Sequence, residues 1–110
     1  MINLSQFPSF FVANWKLNGN LSFINEYMHS LNVNLSKSNC IIICPPAIYL
    51  NNFRQKIGKF YLGSQNISKY ESGPYTGEIS SNSLVEFGVE FCIVGHSERR
   101  QYFNESDKDI

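Results

Sequence analysis

The sequence has neither the long apolar run of a membrane-spanning helix nor the basic start of a secretory signal. A spanning helix needs about 20 consecutive apolar residues, and no segment of the 110 residues comes near that length. The first 16 residues place no basic region before an apolar stretch. We therefore expect a cytoplasmic protein that makes no contact with membranes.

An excess of charge of either sign is also missing. Nine lysines and arginines balance nine aspartates and glutamates, and the basic residues are scattered along the chain. A nucleic-acid-binding stripe or a polybasic membrane patch requires clustered positive charge. We expect no nucleic-acid partner, and a small molecule or another protein as the partner instead.

Cysteines are few and odd in number. Cys40, Cys44 and Cys92 all lie within apolar runs, which is typical of inert buried thiols and not of a disulfide framework. This pattern indicates a reducing compartment. Cys40 and Cys44 can share one face of a strand, but no third or fourth soft ligand accompanies them, so we expect no metal site.

Four short apolar runs are the main positive signal. They are "FFVA" from Phe10, "CIIIC" from Cys40, "FYLG" from Phe60 and "FCIVG" from Phe91. Their apolar residues are continuous and do not alternate, as in strands buried on both faces. Their starts are 30, 20 and 31 residues apart, which is too far for hairpins and suits strand-helix-strand crossovers. The sequence predicts an α/β fold with four parallel strands and intervening helices.

Two of the connections carry helical patterns. The first contains apolar residues at helical spacing, namely Leu21, Ile24, Tyr27, Met28, Leu31 and Leu35. The second begins at Pro45 and Pro46, and Gly58 lies where a glycine ends a helix. Its apolar residues are Ile48, Leu50, Phe53 and Ile57.

The third connection and the last residues differ from these helices. The stretch "SQNISKYESGPYTGEIS" contains two glycines and a proline and predicts a long loop, followed by a short helix near Ser83 to Phe87. Ser106, with Asp109 three residues later, matches the capping pattern that begins a helix. The chain thus reaches only the first residues of a fourth helix.

Polar and titratable side chains follow the first and the fourth strand. Asn14 and Lys16 come after the first, and His96, Ser97 and Glu98 come after the fourth. The carboxyl ends of parallel strands lie at one edge of the sheet, where such folds bind ligands. A lysine, an asparagine and a histidine there suit a small anionic substrate whose carbonyl develops negative charge.

Each of these residues also has a structural explanation. A histidine after a strand can be a hydrogen-bonded structural residue, and a lysine can be a solvated surface charge. Glu98 with Arg99 and Arg100 can form an ion-pair network at the start of a helix, which would stabilise the fold little. The presence of both clusters at one sheet edge favours the functional interpretation.

Three segments carry a family resemblance. "ANWKLNG" (Ala13 to Gly19), "YTGEIS" (Tyr75 to Ser80) and "VGHSERR" (Val94 to Arg100) resemble, in order and spacing, hallmark segments of the triosephosphate isomerases. The stretch "GSQNIS" (Gly63 to Ser68) is similar to another familiar segment of that family. The resemblance runs over essentially the whole chain.

The resemblance implies a fold and an activity. The family interconverts dihydroxyacetone phosphate and glyceraldehyde 3-phosphate in glycolysis and gluconeogenesis, as a homodimer of (β/α)8 TIM barrels and without cofactor or metal. This chain would be the N-terminal half of such a barrel, with strands one to four. Residues 1–110 would form a single incomplete domain.

Site roles carry over to matching positions. Lys16 would hold the substrate electrostatically, and Asn14 would line the same pocket. His96 would be the neutral electrophile that polarises the carbonyl and moves protons between the two oxygens, a role for which this family is itself the standard example. A helix beginning after His96 would oppose a positive imidazole. Ser97 would contact the catalytic base, and Glu98 would lie close to the lysine.

The long third loop resembles the interface loop of the family. Tyr75, Thr76 and Gly77 would lie at its tip, and the threonine would reach the active site of the neighbouring subunit. Pro74 stands where a small residue is expected, and its fixed φ is expected to stiffen the loop.

The chain is shorter than a complete barrel of this family, which bears on whether it is active alone. A complete barrel needs roughly 250 residues. The general-base glutamate, the mobile lid and the later phosphate-binding loops would lie in the half not covered here. We therefore expect the isolated chain to be inactive. One alternative is a non-catalytic half-barrel that serves as a binding or assembly module. Another is a different phosphosugar-binding barrel, which would not require all three motifs.

Overall fold

Four parallel strands form one open sheet in a computed structural model that describes residues 2–31, 38–54 and 60–110. The strands are β1 (Phe10–Asn14), β2 (Cys40–Cys44), β3 (Tyr61–Ser64) and β4 (Phe91–Cys92). They neighbour one another in chain order, and all three pairings are parallel. This confirms the predicted four-stranded arrangement. This sheet is consistent with part of the TIM barrel that the resemblance implies, and the barrel is not closed.

A helix follows each of the four strands, and the first three lie in the connections where the sequence predicted helices. The helices are α1 (Leu21–Leu31), α2 (Leu50–Arg54), α3 (Ser81–Phe87) and α4 (Ser97–Phe103), with 3₁₀ turns at Leu4–Gln6 and Ala47–Tyr49. Helix α3 begins where the Ser80 hydroxyl accepts a hydrogen bond from the Ser83 N–H, and it ends at Gly88. In the described part of the chain, no helix has the length and apolar character to cross a membrane.

Two predictions from the sequence differ from the structure in detail, and a third concerns positions outside the described residues. The predicted second helix begins as a 3₁₀ turn and becomes α-helical only at Leu50. Leu35, Ile57 and Gly58 lie outside the described residues. Ser106 and Asp109 make the expected capping contacts, yet residues 107–109 form only a turn.

The main core lies between the sheet and the helices. Apolar residues of both layers pack there, namely Ile24, Met28, Ile43, Leu50, Phe53, Phe60, Leu62, Leu84 and Val89. The Trp15 ring meets Tyr27 and Phe53 edge-on, with centroids 4.9 and 5.4 Å apart. The residue directly before Lys16 is therefore fixed by the core.

A second cluster covers the opposite face of the sheet. Cys40, Ile42 and Cys44 are buried there, so alternate residues of β2 share one face. Burial raises the pKa of the Cys40 thiol, and it raises the pKa of Cys44 to about 11. Such thiols stay protonated at neutral pH, which agrees with the inert role expected for them.

Strand β1 departs from the expectation of burial on both faces. Phe10, Phe11 and Val12 are each about half exposed. The reason is topological, because within the described part of the chain β1 is an edge strand with a neighbour on only one side. The apolar sequence of β1 is typical of a strand that is more fully buried than β1 is among the described residues.

Candidate active site

The first strand ends in a strained turn that presents Lys16. Lys16 has a φ of 55°, in the left-handed region that residues other than glycine seldom adopt. Its N–H donates to the Asn14 side-chain oxygen over 2.9 Å. This bond holds the lysine backbone in place, so the structure gives Asn14 a definite positioning contact.

Gln65, the residue directly after β3, fixes the same turn. Its side-chain amide donates to the Lys16 carbonyl over 2.8 Å and to the Cys44 carbonyl over 2.9 Å. Cys44 O also accepts from the Trp15 N–H over 3.1 Å. One side chain therefore links the carboxyl ends of the first three strands.

An ion pair joins the first strand end to the fourth. The Lys16 ammonium lies 2.6 Å from Glu98 Oε1, although the two residues are 82 positions apart in the sequence. The hydrogen bond from Lys16 lowers the pKa of the Glu98 carboxyl. The two side chains are 50% and 43% exposed, so the pair contributes little stability and leaves the ammonium accessible to a ligand.

His96 is the N-cap of α4. Its Nδ1 accepts a hydrogen bond from the Glu98 N–H over 3.1 Å, so in this arrangement Nδ1 carries no proton. The ring proton of the neutral imidazole is then on Nε2, which can donate to a ligand. Glu98 Oε2 lies 3.7 Å from Nδ1. Ser97 is the first residue of α4 and is exposed.

The structure brings together four of the residues that the sequence singled out, Asn14, Lys16, His96 and Glu98. Tyr75, Thr76 and Gly77 lie on the exposed tip of the loop between β3 and α3. In the described chain, the backbone hydrogen bonds and the ring contact of Tyr75 are with residues of the same loop. The sequence alone did not assign a role to Gln65, although the segment "GSQNIS" contains it.

The described residues of this region offer no evident set of metal ligands. Within the described ranges, no three histidine, cysteine, aspartate or glutamate side chains are grouped closely enough to hold a metal ion. The cluster offers an ammonium, an imidazole N–H and an amide. These groups can bind an anion and stabilise negative charge on a carbonyl oxygen.

Comparison with known proteins agrees with these observations. The sequence profile described as triosephosphate isomerase matches residues 9–110. The triosephosphate isomerase of Wigglesworthia glossinidia brevipalpis is 44% identical over 103 residues, which are 90% of this chain and 40% of that protein. The one of Albidiferax ferrireducens is 44% identical over 98 residues, or 86% of this chain and 40% of that protein.

A further relative gives the same result. The triosephosphate isomerase of Colwellia psychrerythraea is 39% identical over 105 residues, which are 89% of this chain and 41% of that protein. The chain thus spans about two fifths of the length of the curated relatives that it matches.

Proposed function

This chain belongs to the triosephosphate isomerase family, and on that premise we propose that it takes part in the interconversion of dihydroxyacetone phosphate and glyceraldehyde 3-phosphate. The reaction is a proton transfer between neighbouring carbons of a small anionic carbonyl compound. We propose that residues 1–110 supply part of one barrel domain and the first half of its site. The role belongs to glycolysis and gluconeogenesis, in the cytoplasm.

The 2.6 Å contact between the Lys16 ammonium and Glu98 carries this proposal. It joins the ends of two strands that are not neighbours in the sheet. The sequence predicted functional groups at both ends, and the contact supports their acting on one ligand. Glu98 uses one of three donor positions of the ammonium, and the remaining two can bind an anionic substrate.

His96 is the electrophile in this proposal. A neutral imidazole with its proton on Nε2 can donate to a substrate oxygen and move a proton between two oxygens. The hydrogen bond between Nδ1 and the Glu98 N–H supports this tautomer. Asn14 lines the pocket and holds the Lys16 turn, and Ser97 contacts the catalytic base. No cofactor or metal is required.

The loop tip with Tyr75, Thr76 and Gly77 forms the dimer interface in this proposal. Thr76 is exposed and sits at the central position of a turn, where a second subunit can reach it. The functional unit is then a homodimer of the complete protein.

His96→Gln in the protein expressed from its complete reading frame tests the proposal. We expect kcat to fall roughly 10²- to 10⁴-fold because a general acid-base group is lost, with a smaller effect on KM. His29→Gln is the matched control, since His29 is exposed on α1 and has no proposed role in the site. A steady-state assay with glyceraldehyde 3-phosphate measures both variants. Activity of His96→Gln within tenfold of the native protein would contradict the assignment.

A second candidate function is a non-catalytic half-barrel for binding or assembly. The half-exposed apolar side chains of β1 favour it, since they suit a surface that another chain covers. The activity of the complete protein separates the two functions, and it is compared with that of the 110 residues expressed alone. We expect them to show no turnover, because the resemblance places the general base and the later phosphate-binding loops in the part of the relatives not covered. A native complete protein that is also inactive would favour the module.

A further inference from the structure

The loop between β3 and α3 is closed at its base by backbone and hydroxyl contacts. The Ser68 N–H donates to the Ile79 carbonyl over 2.9 Å, which joins the two ends of the loop. The Ser68 hydroxyl in turn accepts from the Tyr70 N–H over 3.1 Å. These bonds fix where the backbone enters the loop and set the direction of Tyr70.

Two consecutive turns shape the tip. The Tyr75 N–H donates to the Gly73 carbonyl over 2.9 Å, which makes a three-residue turn with Pro74 at its centre. The Glu78 N–H then donates to the Tyr75 carbonyl over 3.1 Å, which makes a four-residue turn with Thr76 and Gly77 in the middle. Gly77 has a φ of 91°, and glycine is favoured at this third position.

One aromatic contact connects the entry of the loop to its tip. The rings of Tyr70 and Tyr75 are stacked, with centroids 3.7 Å apart and planes 2° from parallel. The Lys69 ammonium lies 5.4 Å from the Tyr70 ring centroid, where a cation is attracted by the ring face. The stacked rings thus connect the segment that enters the loop, at Tyr70, to the tip, at Tyr75.

The same entry segment is tied to the turn over residues 107–109, which follows α4. Lys69 Nζ lies 2.6 Å from Asp109 Oδ1. Asp109 Oδ2 also accepts from the N–H and the hydroxyl of Ser106, each over 2.8 Å. Asp109 is thus held in place by its own turn, so it can anchor the lysine beside Tyr70.

We propose that Tyr70 is a positioning residue that presents the tip Tyr75–Gly77, by stacking on Tyr75, before a partner subunit binds. The functional part of this inference rests on the interface role proposed above for the tip. A loop that is ordered in advance loses less conformational entropy on association, so the stack raises affinity by ordering the tip before the partner binds. Lys69 supports the stack from one side and connects it to Asp109.

Tryptic cleavage at Lys69 tests the proposal directly, because Lys69 is the only lysine or arginine between Ser64 and Ser80. Cutting the Lys69–Tyr70 bond requires the loop to open locally. We compare Tyr70→Ala with Tyr70→Phe, which keeps the stacked ring, in the protein expressed from its complete reading frame. Tyr102→Ala removes an exposed tyrosine from α4 and is the matched control.

We expect Tyr70→Ala to be cut at Lys69 about 2- to 12-fold faster, the range that loss of one aromatic pair produces. Tyr70→Phe and Tyr102→Ala should be cut at the native rate. Residue 70 adjoins the cleaved bond, so its substitution can change how fast trypsin cuts even an unfolded chain. Each cleavage rate is therefore divided by the rate for the same protein unfolded in urea. Cleavage at Arg100 on α4 reports global unfolding and should stay unchanged. A native rate for Tyr70→Ala, or equal acceleration in Tyr70→Phe, would overturn the proposal.

Self-association measured by sedimentation tests the functional part. We expect the dissociation constant to rise about 2- to 12-fold in Tyr70→Ala and to stay unchanged in Tyr70→Phe. Thr76→Arg places a charge at the tip and should weaken association more strongly. If Thr76→Arg associates like the native protein, the interface role of the tip is wrong, and the cleavage rates alone then decide whether Tyr70 orders the loop.

Discussion

At the residue scale, the side chains of two neighbours stabilise an unfavourable backbone conformation at Lys16. A non-glycine residue with a φ of 55° stores strain, which must be offset by its surroundings. Asn14 binds the Lys16 N–H and Gln65 binds the Lys16 carbonyl, so both polar backbone groups of the strained residue are held. The ammonium is then directed toward Glu98.

Gln65→Leu should destabilise the protein and displace Lys16. It removes two hydrogen bonds, to the carbonyls of Lys16 and Cys44, and we expect a loss of about 1–2 kcal/mol in the free energy of unfolding. Urea denaturation measures this loss, and KM for the triose phosphate reports the displaced ammonium. Gln101→Leu, on the exposed side of α4, is the matched control. Equal stability of the two variants would show that the Gln65 bonds contribute nothing.

At the scale of the elements, strand β3 depends on having no side chain at one position. A Cβ on Gly63 would overlap Cys44 Sγ and lie 3.0 Å from Ile42 Cγ2. Both atoms belong to buried residues of the neighbouring strand β2. The close packing of β2 on β3 therefore requires glycine there, and the reason is space and not backbone conformation.

Gly63→Ala should cost about 1–3 kcal/mol of stability, the usual range for overpacking a buried site. Adding Cys44→Ala removes the sulfur that the new methyl group meets, so the double variant should lose less than the sum of the two single variants. Urea denaturation of all four proteins in the cycle gives the coupling. Purely additive losses would mean that Cys44 is not the obstacle.

The ion pair between Lys69 in the loop and Asp109 in the turn after α4 should depend on pH. Hydrogen bonds from Lys69 and Ser106 lower the pKa of Asp109 below its ordinary value. A carboxyl with a depressed folded pKa contributes stability that is present above its unfolded pKa, about 3.9, and is lost as pH falls toward the folded value. Asp109→Asn should therefore destabilise the protein at pH 7, and the difference should shrink below about pH 4.

Thermal unfolding of the native protein and Asp109→Asn between pH 7 and pH 3 measures this difference. Asp107→Asn serves as the control, because Asp107 is almost fully exposed and its contact with Arg100 should matter less. A gap between the native protein and Asp109→Asn that stays constant with pH would contradict the assignment.

At the scale of the molecule, the sheet is open at both sides. Among the described residues, strand β1 has an unpaired edge lined by half-exposed apolar side chains, and β4 forms the other edge with only two residues. An uncovered apolar edge is a surface for pairing with another strand. The 110 residues expressed alone should therefore associate with one another.

Phe11→Lys should reduce this association, since a charge on an edge strand opposes strand pairing. Phe11 is 56% exposed on β1, and Val85, which is 73% exposed on α3, provides the control Val85→Lys. Sedimentation of the 110-residue chain over a range of concentrations compares the two variants with the unaltered chain. A stable, cooperatively unfolding monomer of the unaltered chain would contradict the prediction.

The sequence by itself determined the order of strands and helices, because apolar runs and capping residues act over a few positions. The runs at Phe10 and Cys40 became strands with those starting points, and the polar pattern placed α3 close to its observed start at Ser81. It also located the residues after β1 and β4 at one sheet edge, since parallel strands share the direction of their carboxyl ends.

Only the tertiary structure decided which side chains meet across that edge. The reach of Gln65 to two strands, the 2.6 Å approach of Lys16 to Glu98 and the stacking of Tyr70 on Tyr75 depend on how distant segments are placed in space. The exposure of β1 likewise follows from its position at the edge, and its apolar sequence alone suggested burial. Local patterns specify elements, whereas contacts between elements depend on the register and packing of the whole sheet.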